Sequence, residues 1–262
     1  MVIDFHTHIF ADNIAKRAIP TIEEKGSIKA VLDGTKPRLL ASMEEAGIDK
    51  SVVLPIATKP GQTRTINEWA AREQDDKTIF FGTLHPDNED YKEHIRFIAE
   101  QGFKGVKLHP DYQDFFVDDE RMYPIYYEIL SAGLMLMFHA GLDVGYNPPY
   151  HCVPKRLRTV LDTMQGGVII AAHLGGQSMW HEVEKYLVGR NVYFDTSMGL
   201  CFYPVEQFER IVNNHNAKMI LFGTDSPWDN QAEELQRMRE TGLTPEQLDC
   251  ILYKNAERLL SL

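Results

Sequence analysis

The chain opens Met1-Val2-Ile3-Asp4-Phe5-His6-Thr7-His8-Ile9-Phe10, and the way Asp4 to His8 is read decides how the rest of the sequence is taken. The run has the apolar content of a β-strand. In a regular strand residues two apart share a face. Asp4, His6 and His8 are therefore expected on one side, with Ile3, Phe5 and Thr7 on the other. A face carrying three titratable groups is a poor core surface, because each group needs a buried partner. The ordinary explanation is an exposed strand face with two incidental histidines. The functional explanation is a ligand pair. The remaining strands have to choose between them.

Eight strand-like runs recur along the chain, at 2–8, 51–56, 79–85, 105–109, 134–139, 168–173, 192–196 and 219–224. Amphipathic stretches separate most of them. In "DNEDYKEHIRFIAEQG" (87–102), Tyr91, Ile95, Ile98 and Ala99 form an apolar stripe at helical spacing. Gly102, Gly133 and Gly242 stand where helices are expected to stop. Thr244-Pro245-Glu246-Gln247 reads as an N-cap, a proline at the first helical position and a capping-box glutamine. "LMLMF" and "GVIIAA" are apolar on both faces, as parallel strands covered by helices should be. Eight strands alternating with helices in 262 residues predict an α/β fold, a (β/α)8 TIM barrel spanning 1–262 as a single domain. Residues 11–35 are too long for a turn and predict a short capping insertion after strand 1, with its own helix near 14–25. A doubly wound open sheet is the competing architecture, but no Gly-rich phosphate loop accompanies it.

Composition narrows the partners. The chain is 44% hydrophobic and 25% charged, an ordinary globular balance. A net charge of −11 argues against nucleic acid and anionic membrane surfaces, which call for a basic patch. No run approaches the roughly 20 apolar residues of a membrane span, and no signal-peptide pattern opens the chain. Cys152, Cys201 and Cys250 are odd in number and far apart, which fits reduced thiols and a cytoplasmic setting. The expected partner is a small-molecule substrate, with a homodimer left open.

In a barrel of this kind catalytic groups sit at the C-terminal ends of the strands. Six of the ten histidines fall there: His6, His8, His85, His109, His139 and His173. Lys107 and Asp225 join them. Scattered surface histidines would not sort themselves this way. His94, His151, His181 and His215 are expected in solvent or in loops. Imidazole and carboxylate suit a borderline divalent ion such as Zn²⁺. Histidines two apart on a strand start from Cα atoms about 7 Å apart, close enough to converge on one ion. A water on such an ion has its pKa lowered towards about 7.

The motifs "DFHTH", "GFKGVKLHP", "MFHAG", "AAHLGG", "NVYFDTS", "LFGTDSPW" and "NAERLL" resemble those of the amidohydrolase superfamily. More narrowly they resemble its amidohydrolase-related branch, which includes the aminocarboxymuconate-semialdehyde decarboxylase-like enzymes. The resemblance runs from Met1 to Leu262, with the motifs in the same order. It implies metal ligation by His6, His8, His139 and Asp225, most simply of one Zn²⁺. It implies catalytic roles for His173, as acid/base or polarising group, and for Asp225. Lys107 stands either as a plain cation for a substrate carboxylate or as a carboxylated bridge between two ions. His109 and Trp228 are expected to touch substrate, and His85 is evenly balanced between roles. Arg38 and Lys155 are further candidate cations at the mouth, and Gly175 and Gly176 allow a tight turn after His173. Ser226 is a candidate cap for the helix after strand 8. Cys152 and Cys201 fall in loops that reach towards the mouth.

The branch contains both hydrolases and non-oxidative decarboxylases. The compactness of the chain favours a metal-dependent hydrolase acting on an ester, lactone or amide of a small anionic substrate. Decarboxylation is the alternative, and a non-catalytic metal-binding barrel is the third reading.

Overall fold

A computed structural model describes residues 1–262. Eight parallel strands occur in chain order: β1 (Ile3–Thr7), β2 (Lys50–Val53), β3 (Thr78–Phe80, continued by Gly82–Thr83), β4 (Gly105–Leu108), β5 (Met135–Phe138), β6 (Ile169–Ala171), β7 (Tyr193–Asp195) and β8 (Ile220–Leu221). Each pairs with the next in parallel register. Closure comes from backbone bonds between the first and last strands. Phe5 N–H donates to Phe222 O at 2.7 Å, Asp225 N–H to His6 O at 2.8 Å and His8 N–H to Ser226 O at 2.6 Å. The fold is a (β/α)8 barrel. No helix is long and apolar enough to cross a membrane.

Two apolar layers hold it. Inside the barrel, Phe5, Phe81, Met137 and Ile170 belong to a buried cluster sealed below by Ala256 and Leu260 of the C-terminal helix. Outside, the other strand faces pack beneath the helices in one larger cluster. After the insertion helix α1 (Asp12–Gly26) come α2 (Lys36–Ala46), α3 (Thr63–Glu73), α4 (Tyr91–Glu100), α5 (Tyr123–Ser131), α6 (Pro154–Thr163), α7 (Trp180–Tyr186), α8 (Val205–His215) and α9 (Gln231–Arg239). The expected stripe of α4 buries Ile95 and Ile98, but His94 is buried with them. His215 is also buried, its Nε2–H donating to Val192 O at 2.9 Å. These two histidines are packing residues rather than solvated ones. Gly102 and Gly133 follow α4 and α5 at positive φ. Gly242 ends nothing, because α9 has stopped at Arg239. The capping box at Thr244 forms as expected. Asn230, and not Ser226, caps α9, and the buried Ser226 Oγ has no partner.

The first strand departs from simple alternation. Asp4 pairs with Ser51 and Thr7 with Val53, so β1 carries one more residue than β2 over this span. Such a bulge resets which face each side chain takes. Phe5 lies in the inner cluster, edge-on to Phe81 at 5.8 Å. His6 and His8 still reach the barrel mouth. Asp4 does not share their surroundings: its carboxylate accepts from Thr224 N–H (3.0 Å), Thr224 Oγ1–H (2.6 Å) and Gln231 Nε2–H (2.8 Å). The single-face expectation for Asp4, His6 and His8 is therefore corrected for Asp4. It is a fully buried clamp between β1, the segment after β8 and α9.

Burial raises the Asp4 carboxyl to about 6, against the lowering effect of those hydrogen bonds. Removing the acceptor strands buried donors, each costing about 1–3 kcal/mol. Asp4→Ala is expected to lose about 3 kcal/mol, or roughly 6–12 °C in a circular-dichroism melt for a chain of this size. A variant that melts with the wild type would show that the clamp does not matter.

Candidate active site

The C-terminal ends of the strands enclose a cavity of about 310 Å³. His6, His8, Lys107, His109, His139, His173 and Asp225 face it from the barrel. Ile9, Phe10, Leu54, Trp69, Leu142 and Trp228 make much of the wall. The expected insertion helix is α1, and it covers the mouth with Ile14, Ile22 and Lys25. Lys25 is the lid's cation, its Nζ 3.6 Å from the centre of the Tyr146 ring. The other proposed mouth cations are elsewhere: Arg38 and Lys155 are exposed and do not line the cavity. Nor does His85, whose Nδ1 accepts from Asp87 N–H at 3.2 Å. Cys152 is fully buried in the outer core. Cys201 is exposed, its Sγ 3.4 Å from Asp229.

His6, His8 and Asp225 converge. Asp225 Oδ1 lies 3.0 Å from His6 Nε2 and 3.1 Å from His8 Nε2, and the two Nε2 atoms are 3.2 Å apart. The second nitrogen of each ring fixes its tautomer. His8 Nδ1–H donates to Leu54 O at 2.8 Å. His6 Nδ1–H donates to Asp195 Oδ2 at 2.9 Å. Both Nε2 atoms therefore present lone pairs to each other and to a carboxylate oxygen. Three electron-rich atoms at that separation repel unless a positive centre stands between them. Tetrahedral ligands about 2.0–2.1 Å from an ion lie roughly 3.3 Å apart, so the trio fits a divalent cation. Without one, a proton on His6 serves. Burial and Lys107 oppose it, but Asp195 and Asp225 outweigh them and raise His6 above its ordinary value.

Backbone conformation aims two of these groups. Asp225 and His173 both take left-handed φ values, 69° and 58°. For residues other than glycine this costs on the order of 1 kcal/mol and persists only where the surroundings impose it. Gly175 follows His173 at φ 84°, completing the tight turn expected there. Burial lowers His173 to about 4, so the ring is neutral near pH 7. Its Nε2 is 3.0 Å from His139 Nδ1. His139 stacks on His109 at 4.0 Å with the rings 12° from parallel, and its Nε2 is buried without a partner.

The ligand atoms of His109, His139 and Asp143 lie within 4.8 Å of one another, and His139 belongs to this second group and not to the trio. The second group is looser than the first: His109 Nε2 lies 3.2 Å and His139 Nε2 4.0 Å from Asp143 Oδ2.

Asp195 is the residue that motif reading passed over. At the end of β7, its Oδ2 accepts from His6 Nδ1–H, and its Oδ1 accepts from His173 N–H (3.2 Å), Ser197 N–H (3.0 Å) and the Ser197 hydroxyl. Burial raises this carboxyl, but the charge and hydrogen bond of His6 prevail and hold it well below the usual range. The signal was in "NVYFDTS": an aspartate closing a buried strand needs a partner. Ser197, Asp143 and Lys25 carried no such signal.

Residues 3–262 match the family model described as "Amidohydrolase". The chain belongs to the amidohydrolase family. The candidate ligand groups at the barrel mouth are consistent with a divalent-metal enzyme of that superfamily. Among curated proteins it is 25% identical over 168 residues to a probable dihydroorotase of Schizosaccharomyces pombe. That match takes in 62% of the chain but only 44% of the relative's length. Two structures share the fold across nearly the whole of both chains. One is 2,6-dihydroxybenzoate decarboxylase from Rhizobium, at 16% identity, a TM-score of 0.74 and coverage of 99% of this chain and 98% of that one. The other is 5-carboxyvanillate decarboxylase from Novosphingobium aromaticivorans, complexed with manganese and 4-hydroxy-3-methoxy-5-nitrobenzoic acid. It aligns at 16% identity and a TM-score of 0.77, with coverage of 100% and 96%.

Lys107 gives this site a measurable cost in stability. Its Nζ is buried and unpartnered, and burial lowers it to about 8 against the pull of Asp195 and Asp225. A folded-state pKa below the unfolded value of about 10.4 means that the charge destabilises the fold. The penalty is full below about pH 8 and fades as pH rises towards 10.4. Lys107→Met should therefore equal or exceed the wild type in chemical denaturation at pH 7, with the gap closing by pH 10. A large loss of stability at pH 7 would mean that the amine is held by a partner.

Proposed function

We propose that the protein is a metal-dependent, non-oxidative decarboxylase of a small aromatic or unsaturated carboxylic acid. The observation that carries this is Lys107: a buried, unpartnered ammonium beside the His6–His8–Asp225 trio, in a cavity otherwise walled by apolar side chains. A carboxylate is the complement of such a site. Its apolar remainder packs against Leu54, Trp69, Leu142 and Trp228. Both decarboxylases sharing the fold align over almost their entire length, which removes the argument that compactness favours hydrolysis.

His6, His8 and Asp225 would hold one first-row divalent ion, zinc or manganese, with His139 as the further donor if its bare Nε2 turns to it. The ion supplies a Lewis-acid anchor for the anionic oxygens of the substrate. Lys107 adds a fixed positive charge to the carboxylate. The apolar walls and the α1 lid keep bulk water from it. Asp225 uses Oδ1 towards the two histidines, which hold its carboxyl well below the usual range, so its other oxygen can only relay a proton taken up from solvent to the carbon that bears the carboxylate. As the C–C bond breaks, its electron pair stays on that carbon and takes the proton, and CO₂ leaves. Each turnover draws one proton from solution. His173 has both ring nitrogens engaged within the protein, so it acts by positioning. His109 and Trp228 border the same space as substrate contacts.

The metal site is tested first. Purified protein should carry about one equivalent of divalent metal by inductively coupled plasma mass spectrometry. His6→Ala, His8→Ala and Asp225→Ala should each lose it, while His85→Ala keeps it. Retention in the first three variants would sink the assignment.

The reaction is tested with a panel of hydroxybenzoates, muconates, lactones and cyclic amides. Decarboxylation predicts CO₂ in the headspace and one deuterium in the product formed in D₂O. Oxygen from ¹⁸O-water in the product, without CO₂, would replace it by hydrolysis, the reading that the probable dihydroorotase relative favours.

A further inference from the structure

Six side-chain amides are buried in the fold, those of Asn67, Gln113, Gln177, Gln207, Gln231 and Asn255. Five of them donate to acceptors in the protein. Asn67 Nδ2–H reaches Thr83 O at 2.8 Å, Gln113 Nε2–H reaches Ala57 O at 2.8 Å, and Asn255 Nδ2–H reaches Ile220 O at 2.7 Å. Gln207 and Gln231 donate to the carboxylates of Glu184 and Asp4. Gln177 is the exception. Its Oε1 is buried without a partner, and no protein acceptor takes its amide hydrogens. It is only 7% exposed, and it borders the cavity.

The backbone fixes where this amide stands. Gln177 N–H donates to Ala140 O at 2.8 Å, and Leu142 N–H donates to Gln177 O at 3.0 Å. The two loops meet there in a parallel bridge between Gly141 and Gln177. Only glycine permits that approach, because a Cβ on Gly141 would lie 2.1 Å from Gln177 N. The side chain is therefore carried to the cavity by the loops after β5 and β6, and is not left loose on the surface. A buried amide held without partners costs the fold about 1–3 kcal/mol for each unmet group. Every other buried amide in this protein avoids that cost by bonding within the fold.

We infer that Gln177 is a specificity-determining residue whose amide hydrogen-bonds a neutral polar group on the ring of the substrate, apart from the carboxylate. The inference rests on the carboxylate reading of Lys107 given above. An amide carries an acceptor and two donors side by side and can turn over about its last bond. Its complement is a group that can donate to Oε1, and a ring hydroxyl and the N–H of a ring lactam both qualify. Being uncharged, the amide is no substitute for Lys107 as partner of the carboxylate. The other wall residues, Leu54, Trp69, Leu142 and Trp228 among them, suit the apolar remainder of the ring.

The test is isothermal titration of zinc-loaded protein with matched pairs of acids. Benzoate is compared with its three monohydroxy derivatives, and nicotinate with 6-hydroxynicotinate, whose ring is a lactam. At least one substituted acid should bind about tenfold or more tightly than its parent, since a site built to bond a polar group disfavours the analogue lacking it. The pair that shows the gain tells hydroxyl from lactam. In Gln177→Met, which keeps the length of the side chain without the amide, that advantage should shrink to within about threefold. Wild-type protein that binds the parents as tightly as every substituted acid would overturn the inference, and so would an advantage that survives in Gln177→Met. In both cases the carboxylate reading stands, because the acids still bind. Failure of every acid to bind would remove the carboxylate reading and this inference with it. Because no turnover is read, a protein that shows the preference but releases no CO₂ counts against the proposed reaction alone.

Discussion

Everything in this site depends on the seam where the barrel closes. His6 and Asp225 stand 219 positions apart in the chain, yet Asp225 N–H donates to His6 O and their side chains meet at 3.0 Å. Backbone bonds set that distance before any ligand arrives. Gly223 keeps the seam tight, since a Cβ there would lie 2.9 Å from the Cβ of His6. The repulsion built into His6, His8 and Asp225 is thus held in place by the sheet. A cation relieves it, which makes the affinity for a positive centre a property of the closed barrel and not of the three residues alone.

The buried polar groups form one connected arrangement around that seam. Asp4 ties the outer side of β1 to α9 and to the chain after β8. Asp195 does the same on the inner side, reaching His6, Ser197 and the backbone of His173. Each carboxylate accepts several hydrogen bonds, as a buried charge must. Their surroundings differ. Asp4 meets neutral donors and burial lifts its proton affinity, whereas Asp195 meets imidazole and stays ionised. Lys107 is the exception, a buried charge with no protein partner. A fold keeps such a group at a cost in stability.

The lid and walls divide the labour differently. α1 brings isoleucines and one lysine over polar groups donated by five different strand ends. Chemistry sits on the rigid strands, where closure and packing hold it. Discrimination between substrates sits in the insertion and the loops, whose side chains are free of those constraints.

From the sequence, the alternation of apolar strands and amphipathic helices determined the barrel, because period and length leave few other ways to bury those faces. Histidines gathered at strand ends marked the catalytic end of the barrel. The insertion helix was legible from its length, and the cap at Thr244 from its local chemistry. Other features were decided only by the tertiary structure. Counting by twos put Asp4 beside His6, but the bulge in β1 arises from pairing with β2 and moved it to the other side. The left-handed turns at His173 and Asp225 are conformations that neighbours impose and residue type does not announce. Asp195 and Ser197 became site residues through contacts 189 and 191 positions distant. Local sequence encodes local backbone preference and the face that wants burial. Which polar groups share a proton depends on the closure of the barrel, and that exists only once all eight strands are in place.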